Sequence, residues 1–597
     1  MKRMQSAVAL FCAVLLLPLP GLAQSAAPFQ GQSLAPAGGL WRPYQWRQEP
    51  PLNLSNSGRL DSLIRAGRIY LSLQDAIALA LENNLDIELQ RYSLRAADAA
   101  LLRSEAGGAG VPSLDPVASF NYNFGHQTTP QTSSFVTGTN SLVNRVKTAN
   151  FSIQKGFLTG TTATFGWNNT FARSNSGRSD FNPSTSSNFN LQVTQRLLQG
   201  FGLAVNNRNI RVAKNNRKVS DLAFRQQVIT TVSNVVNLYW DLVSYNEDVK
   251  VKRQALSLAE KLRSDNQKQV EIGTLAPIEV VRAEAQVALS QQDLTISETR
   301  LLQQETLLKN ALSRTGVASP LVAEARIVPT DQIRVPSVEP VEPIQDLIGD
   351  AIQNRPDLAE NRIQVENSKI GLEGAKSALK PSLDLVGSLQ NNGLAGQINS
   401  LPIPPIPGSS LPPAERNPNS VDSFFLGGYG TALSQLFARN FPNYAIGFQF
   451  NVPLRNKSAQ ADMIQNQLAL RQQEIRQQQL MNQIRLDVTN ALIAVQQARA
   501  TYEAAVKTRI LQEQTLDAEE KKYALGASTI FFVVQAQRDL AQARSSEVAT
   551  LSSYSKARVA LNQATGRVLS AYGVEIDEAK AGRVARGPDP LPPPNQN

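Results

Sequence analysis

Residues 443–452 read NYAIGFQFNV and residues 484–505 read IRLDVTNALIAVQQARATYEAA, and between the two the period of the apolar positions changes. In the first stretch Tyr444, Ile446, Phe448, Phe450 and Val452 alternate with Asn443, Ala445, Gly447, Gln449 and Asn451, which is a strand with one apolar and one polar face. In the second, Ile484, Val488, Ala491, Val495, Ala498, Tyr502 and Ala505 are spaced by four and three, the seam of a coiled coil. Neither Gly nor Pro occurs from Leu454 to Leu525. A helix of about 70 residues spans about 105 Å. Globular helices average about 10–14 residues, so one this long needs lateral partners along its whole length.

The same order occurs twice in the chain. Leu73-Gln74-Asp75, Ala80, Asn83 and Asp86-Ile87 return as Ile344-Gln345-Asp346, Ala351, Asn354 and Asp357-Leu358, and Pro112-Ser113-Leu114-Asp115 returns as Pro381-Ser382-Leu383-Asp384. Further on, Gly273, Val280-Val281 and Ala283 match Gly526, Val533-Val534 and Ala536, and Thr315-Gly316 matches Thr565-Gly566. The chain is therefore two copies of a unit of roughly 230 to 250 residues, far longer than a solenoid repeat.

Each copy opens on a helix, near Leu73 with Ser72 and Asp75 as a capping box, and near Ile344. Copy one then alternates in Ser119–Phe124 and from Asn188 to Thr194, and its long Gly- and Pro-free stretch from Leu203 to Ile272 carries a seam at Ile229, Val232, Val236, Tyr239 and Val243. Gly273 and Gly526 are the expected stops of the two long helices. A return helix follows each, from Pro277-Ile278 to Gly316 and from Ser528-Thr529 to Gly566.

Met1, Lys2 and Arg3, the apolar run Ala7–Leu17 and the small-residue pattern Gly21-Leu22-Ala23 read as a secretory signal peptide cleaved after Ala23. The lone cysteine, Cys12, lies inside it, so disulfides and Cys-ligated metals are not expected. Beyond it no run of about 18 apolar residues remains, so any membrane crossing must use strands. The net charge of +10 is dispersed among Glu, Asp and Gln, which describes a solvated helical surface and gives no reason to expect nucleic acid. The only histidine, His126, sits in a Thr/Gln/Pro stretch read as a surface loop, which leaves no His-based triad or multi-His zinc site. Gly107-Gly108-Ala109-Gly110 lacks phosphate-loop spacing and reads as the end of the first helix. No enzyme activity, metal or cofactor is expected.

Helix, strands, very long helix, Gly turn and return helix, duplicated behind a signal peptide, resemble the TolC-like outer membrane efflux family across about residues 71 to 566. The resemblance implies an all-α periplasmic α-barrel of long coiled-coil helices plus transmembrane β-barrel strands, a duplicated helix-strand-helix repeat assembled as a homotrimer. Strand edges cannot face lipid unsatisfied, so closure by three chains also fits the physics. The implied function is an outer-membrane channel subunit of a tripartite efflux or type I secretion system. The implied partners are outer-membrane lipid, a periplasmic adaptor (membrane fusion) protein and an inner-membrane pump of the RND or ABC class. The organisation expected is 1–23 signal peptide, 24–70 extended segment, 71–316 repeat one, 317–342 linker, 343–566 repeat two and 567–597 disordered Pro-rich tail.

By the same resemblance, Gly273, Thr274, Gly526 and Ala527 form the periplasmic tip that docks the adaptor. Tyr523 and Glu279 match positions whose hydrogen bond helps to hold the resting tip closed, while Phe532 stands where an acidic residue is usual and narrows the tip by apolar contact. Phe120, Tyr122, Phe124, Phe448 and Phe450 face lipid, with Asn, Gln, Thr and Ser toward a watery lumen. The family pattern implies four strands per chain, twelve in a trimer. Extra alternating segments at Thr148–Phe157 and Thr161–Phe171 make six per chain and eighteen the alternative. The Pro/Gly-rich stretch from Asn391 to Pro442 reads as a long exterior loop. A structural coiled-coil envelope protein would share the long helices, but need not carry the aromatic and polar strands that flank them.

Overall fold

A computed structural model describes residues 51–108, 113–337, 342–406 and 409–589. The expected signal peptide and most of the segment that follows it lie outside the described residues. Copy one contributes β1 (Arg68–Leu71), α1 (Leu73–Asn83), α2 (Leu85–Glu105), four strands β2 (Val117–Pro130), β3 (Ser141–Gly156), β4 (Thr161–Ser174) and β5 (Phe181–Arg196), then α3 (Arg208–Glu271) and α4 (Ile278–Leu312). After β6 (Arg326–Pro329), copy two contributes α5 (Ile344–Asn354), α6 (Pro356–Ala378), β7 (Ser382–Ile398), α7 (Tyr429–Phe437), β8 (Phe441–Asn451), α8 (Lys457–Ala524) and α9 (Ile530–Thr565).

The duplication survives in the lengths: α1 and α5 each have 11 residues, α3 and α8 have 64 and 68, and α4 and α9 have 35 and 36. At 1.5 Å per residue the long helices reach about 96 and 102 Å. Their seams are filled as the spacing requires. Ile229, Val232, Val236, Tyr239 and Val243 are buried along α3, and Ile484, Val488, Val495 and Ala505 along α8. Among the described residues no helix is long and apolar enough to cross a membrane.

One copy-one cluster ties the unit together. Leu71, Leu79, Val235, Tyr239, Leu242 and Leu308 pack as one core beneath a small sheet in which β1 runs parallel to β6. Within it the Tyr239 hydroxyl donates to the Leu71 carbonyl at 3.0 Å and lies 3.0 Å from Asp331 Oδ2. Ser72 caps α1, its hydroxyl accepting from the Asp75 amide at 3.1 Å as the sequence suggested.

Several sequence expectations change. Among the described residues the sheet has six strands, in the antiparallel order β2-β3-β4-β5-β7-β8, not four, because both extra alternating segments of copy one form paired strands. Residues 58–70, within the segment expected to be extended, hold a helical turn and all but the last residue of two short strands, and β6 inside the expected 317–342 linker completes that sheet. Part of the expected disordered tail is folded: α10 (Val568–Ala571) and α11 (Ile576–Ala581) bury Val568, Leu569 and Ala579. Buried Arg91 fixes this end by donating to the Ala579 and Leu81 carbonyls. The Pro/Gly-rich stretch is shorter than expected, since β7 runs on to Ile398 and α7 lies on the sheet. His126, expected in a loop, lies in β2 opposite Arg145.

Candidate functional site: the sheet and the helical tip

Antiparallel register aligns the apolar residues of all six strands on one face. Phe120, Phe151, Trp167 and Phe189 form one cross-strand row. Ile153, Phe165, Leu191, Leu389 and Tyr444 form the next. Phe165 and Trp167 both contact the Phe189 ring, at centroid distances of 5.9 and 5.7 Å. The opposite face carries amides and hydroxyls. Asn121, Asn150, Asn168, Asn188 and Asn392 stand directly opposite one another across five strands. Asn168 donates to Asn188 at 3.0 Å, and the Ser119 and Ser152 hydroxyls meet at 2.7 Å. This face is polar and carries no charged side chain across its middle. The asparagine row escaped sequence reasoning because it exists only once register is known.

The aromatic side chains singled out in sequence are bare. Phe120 is 71% exposed and Phe448 72%, and Tyr122, Phe124 and Phe450 are also exposed. Between the basic residues near the two ends of its strands, this apolar face carries a polar patch, and α7 covers it. Thr185 and Ser187 are buried there, the Asn391 amide donates to the Leu436 carbonyl, and Phe437 packs on Phe189 at 5.6 Å. Gln435 Oε1 accepts from the Leu394 backbone N–H at 2.8 Å, which satisfies a strand edge that β8 is too short to reach. The two outer strands, β2 and β8, each keep one edge without a strand partner among the described residues.

At the other end of the molecule the two copies make the same turn. Gly273 and Gly526 have φ of +83° and +73°, the left-handed region that glycine enters freely. The Thr274 and Ala527 amides donate back to Gln269 and Lys522 at 2.9 and 2.8 Å, closing matching C-caps. The structure brings Tyr523 and Glu279 near each other but does not join them. The Tyr523 hydroxyl donates to Gln269 Oε1 at 3.1 Å, and its ring packs against Leu516, Val533, Ala536 and Leu540. Burial, and then the Glu279 charge, push the Tyr523 phenol up. Glu279 Oε1 accepts from Arg282 at 2.8 Å, while its other oxygen is buried with no partner among the described residues. The link between the copies at the tip therefore runs through Gln269. Sequence reasoning missed that residue because its partner lies on a helix 254 positions away. Phe532 is exposed, edge-on to Phe531 at 5.6 Å.

A sheet with one bare apolar face and one polar face, carried on two long helical hairpins, defines an outer-membrane channel subunit. The profile of the outer membrane efflux protein family matches residues 160–314 and 347–567. The chain belongs to that family, whose members are channels and not enzymes. No curated protein matches the chain by sequence. Its fold is similar to that of the Campylobacter jejuni CmeC outer membrane channel, with 15% identity, a TM-score of 0.56 and coverage of 95% of this chain and 98% of that one. It is also similar to the open state of the Neisseria gonorrhoeae MtrE outer membrane channel, at 16% identity, TM-score 0.52 and coverage of 88% and 98%. The Vibrio cholerae outer membrane protein VceC gives 14% identity, TM-score 0.54 and coverage of 83% and 96%.

Proposed function

We propose that three copies join edge to edge, β2 of one to β8 of the next, into a single eighteen-stranded barrel across the outer membrane. The observation that carries this reading is the six-stranded sheet, apolar on one face and polar on the other, with both edges free. An open edge cannot persist in hydrocarbon, and β2 and β8 run in opposite directions, so joining them continues the antiparallel pattern. The aromatic face, with Phe120, Tyr122, Phe124, Phe448 and Phe450, turns to lipid, and the asparagine row lines the pore. The helices supplied by repeats one and two, 71–316 and 343–566, extend into the periplasm as a conduit. A purely structural coiled-coil rod has no use for a sheet whose largest exposed side chains are aromatic.

Cysteine pairs test the seam, one residue on β2 and one on β8, in a chain whose only natural cysteine is Cys12. One register of pairs is expected to give oxidised dimers and trimers on denaturing gels. If no pair links two chains, the shared barrel is wrong.

The same reading places Gly273, Thr274, Gly526 and Ala527 at the periplasmic tip, where an adaptor protein leading to an inner-membrane pump of the RND or ABC class docks. Support comes from the apolar side chains left bare there, Ile272, Ile278, Leu525 and Phe531. Gly526→Trp is expected to abolish adaptor cross-linking while leaving the trimer intact, since the left-handed turn rejects a bulky side chain. Unchanged cross-linking and efflux would move the docking site elsewhere.

Gating is assigned to the contact of Tyr523 with Gln269, with Glu279 beside it and Phe532 narrowing the opening. A neutral hydrogen bond contributes about 0.5–1.5 kcal/mol, so three copies bias the tip without locking it. Tyr523→Phe together with Glu279→Ala is expected to raise resting single-channel conductance. An unchanged conductance in intact trimers would remove these residues from the gate.

A further inference from the structure

On the apolar face, the row beyond Phe124 toward the loops changes chemistry. His126 stands directly opposite Arg145, and Arg145 directly opposite Arg173. One row nearer the helices, Lys147 lies between Phe124 and Phe171, its ammonium 5.9 Å from the Phe171 ring centroid. All four side chains are exposed. Among the described residues none forms a hydrogen bond or ion pair with the side chains of Arg145, Lys147 or Arg173. Like charges directly opposite each other on neighbouring strands are destabilising, so this row is built at a cost that an anion would offset.

Its height on the sheet says where that anion comes from. Strand β3 presents Lys147, Ala149, Phe151, Ile153 and Lys155 in succession on this face. The eight steps from Lys147 to Lys155 span about 27 Å along the strand and the ten from Arg145 to Lys155 about 34 Å, which a strand tilt of about 40° reduces to about 21 and 26 Å of height. Outward apolar bands of outer-membrane barrels are about 25 Å tall. Lys155 thus marks the helix-side boundary of the hydrocarbon, and the row of His126, Arg145 and Arg173 lies just past the loop-side boundary, at the height of the outer-leaflet headgroups. Guanidinium groups match phosphate oxygens with paired, charge-assisted hydrogen bonds.

We propose that His126, Arg145, Lys147 and Arg173 form an outward-facing shelf that binds the phosphate groups of an outer-leaflet glycolipid. The proposal rests on the reading of the aromatic face as the lipid face. The shelf holds one lipid per chain against the aromatic band formed by Tyr122, Phe124 and Phe171, so that lipid becomes part of the assembled wall.

The test uses the full-length trimer in neutral detergent, with lipopolysaccharide as the probe, either intact or enzymatically dephosphorylated. Arg145→Gln with Arg173→Gln is expected to bind intact lipopolysaccharide about ten-fold or more weaker than wild type, the loss that follows removal of charge-assisted hydrogen bonds. Arg145→Lys with Arg173→Lys keeps the charge and retains most of the affinity. Dephosphorylated probe is expected to bind wild type as weakly as the glutamine variant binds the intact one. Without lipid, the glutamine variant is expected to be at least as heat-stable as wild type, because a repelling pair has been removed.

Equal binding by the glutamine variant, or equal binding of the dephosphorylated probe, overturns the proposal. So does protection of wild type by inorganic phosphate equal to that by the lipid. Loss of the trimer in lipid-free detergent would instead assign the arginines to a contact with a neighbouring copy. Bilayer conductance of the same preparations reports the channel reading separately, and it is expected to be the same in wild type and the glutamine variant.

Discussion

Phe120→Arg is expected to remove the protein from the outer membrane. Phe120 lies on β2 opposite Phe151, midway between Lys147 and Lys155 of the neighbouring strand, and is 71% exposed in the single chain. An arginine at the lipid-facing midplane costs about 2–4 kcal/mol, and three copies place three such charges in one barrel. The strand is also an edge, so the substitution weakens pairing with the next chain at the step where the barrel closes. The yield of heat-modifiable trimer in outer-membrane fractions is the readout, with Gln449→Arg on the polar face as the comparison. Gln449→Arg should assemble, because its side chain meets water. Equal assembly of both variants would mean that the two faces had been assigned the wrong way round.

The second large effect is expected in the copy-one core, from Tyr239→Ala. The ring is fully buried, in edge contact with Trp240 at 5.3 Å, and its hydroxyl joins Leu71 on β1 to Asp331 beyond β6. Removing a buried aromatic side chain costs about 3–5 kcal/mol. The variant also leaves the Asp331 carboxylate without its phenol. The expected result is a lower urea midpoint for the helical circular dichroism signal and early proteolysis near residue 330. Tyr239→Phe keeps the ring and loses only the hydrogen bonds, so it should fall between the two. Burial and then Asp331 push the Tyr239 phenol far up from its ordinary range. Its folded pKa is thus raised, and its contribution is complete below about pH 10 and lost as pH rises beyond it.

Much of the architecture was legible because it is written in periodicity and in glycine. A stretch without Gly or Pro ending on Gly273 or Gly526 has few alternatives to a long helix and a left-handed stop, and both stops are found with positive φ. The exposed aromatic face was legible for a similar reason, since strict alternation in Tyr444–Val452 fixes which side chains share a face. What failed was the reading of mixed composition. Gly125-His126-Gln127-Thr128 looks like a loop because its residues are polar. It is instead the loop-side part of β2, which pairs with β3 to its end whatever its composition.

Helix α7 was hidden inside a stretch rich in Pro and Gly, and at nine residues it is too short for periodicity to announce. In the tail, the closing prolines drew attention away from Val568, Leu569 and Ala579, which are buried. The strand count went astray differently. The two extra alternating segments were visible in copy one, and only the four-strand pattern implied by the resemblance argued against them. At the tip, matching residues one by one identified Tyr523 and Glu279 but could not supply Gln269, the side chain that Tyr523 meets.

The central claim is that three copies of this chain enclose one continuous water-filled pore through the outer membrane. Single-channel recording of the purified, mass-verified trimer in planar lipid bilayers tests it most directly. Discrete conductance steps that scale with salt are expected, and they persist in the Tyr523→Phe, Glu279→Ala variant at a higher level. A detergent-free soluble rod, or a membrane-bound trimer that gives no conductance even in that variant, would contradict it.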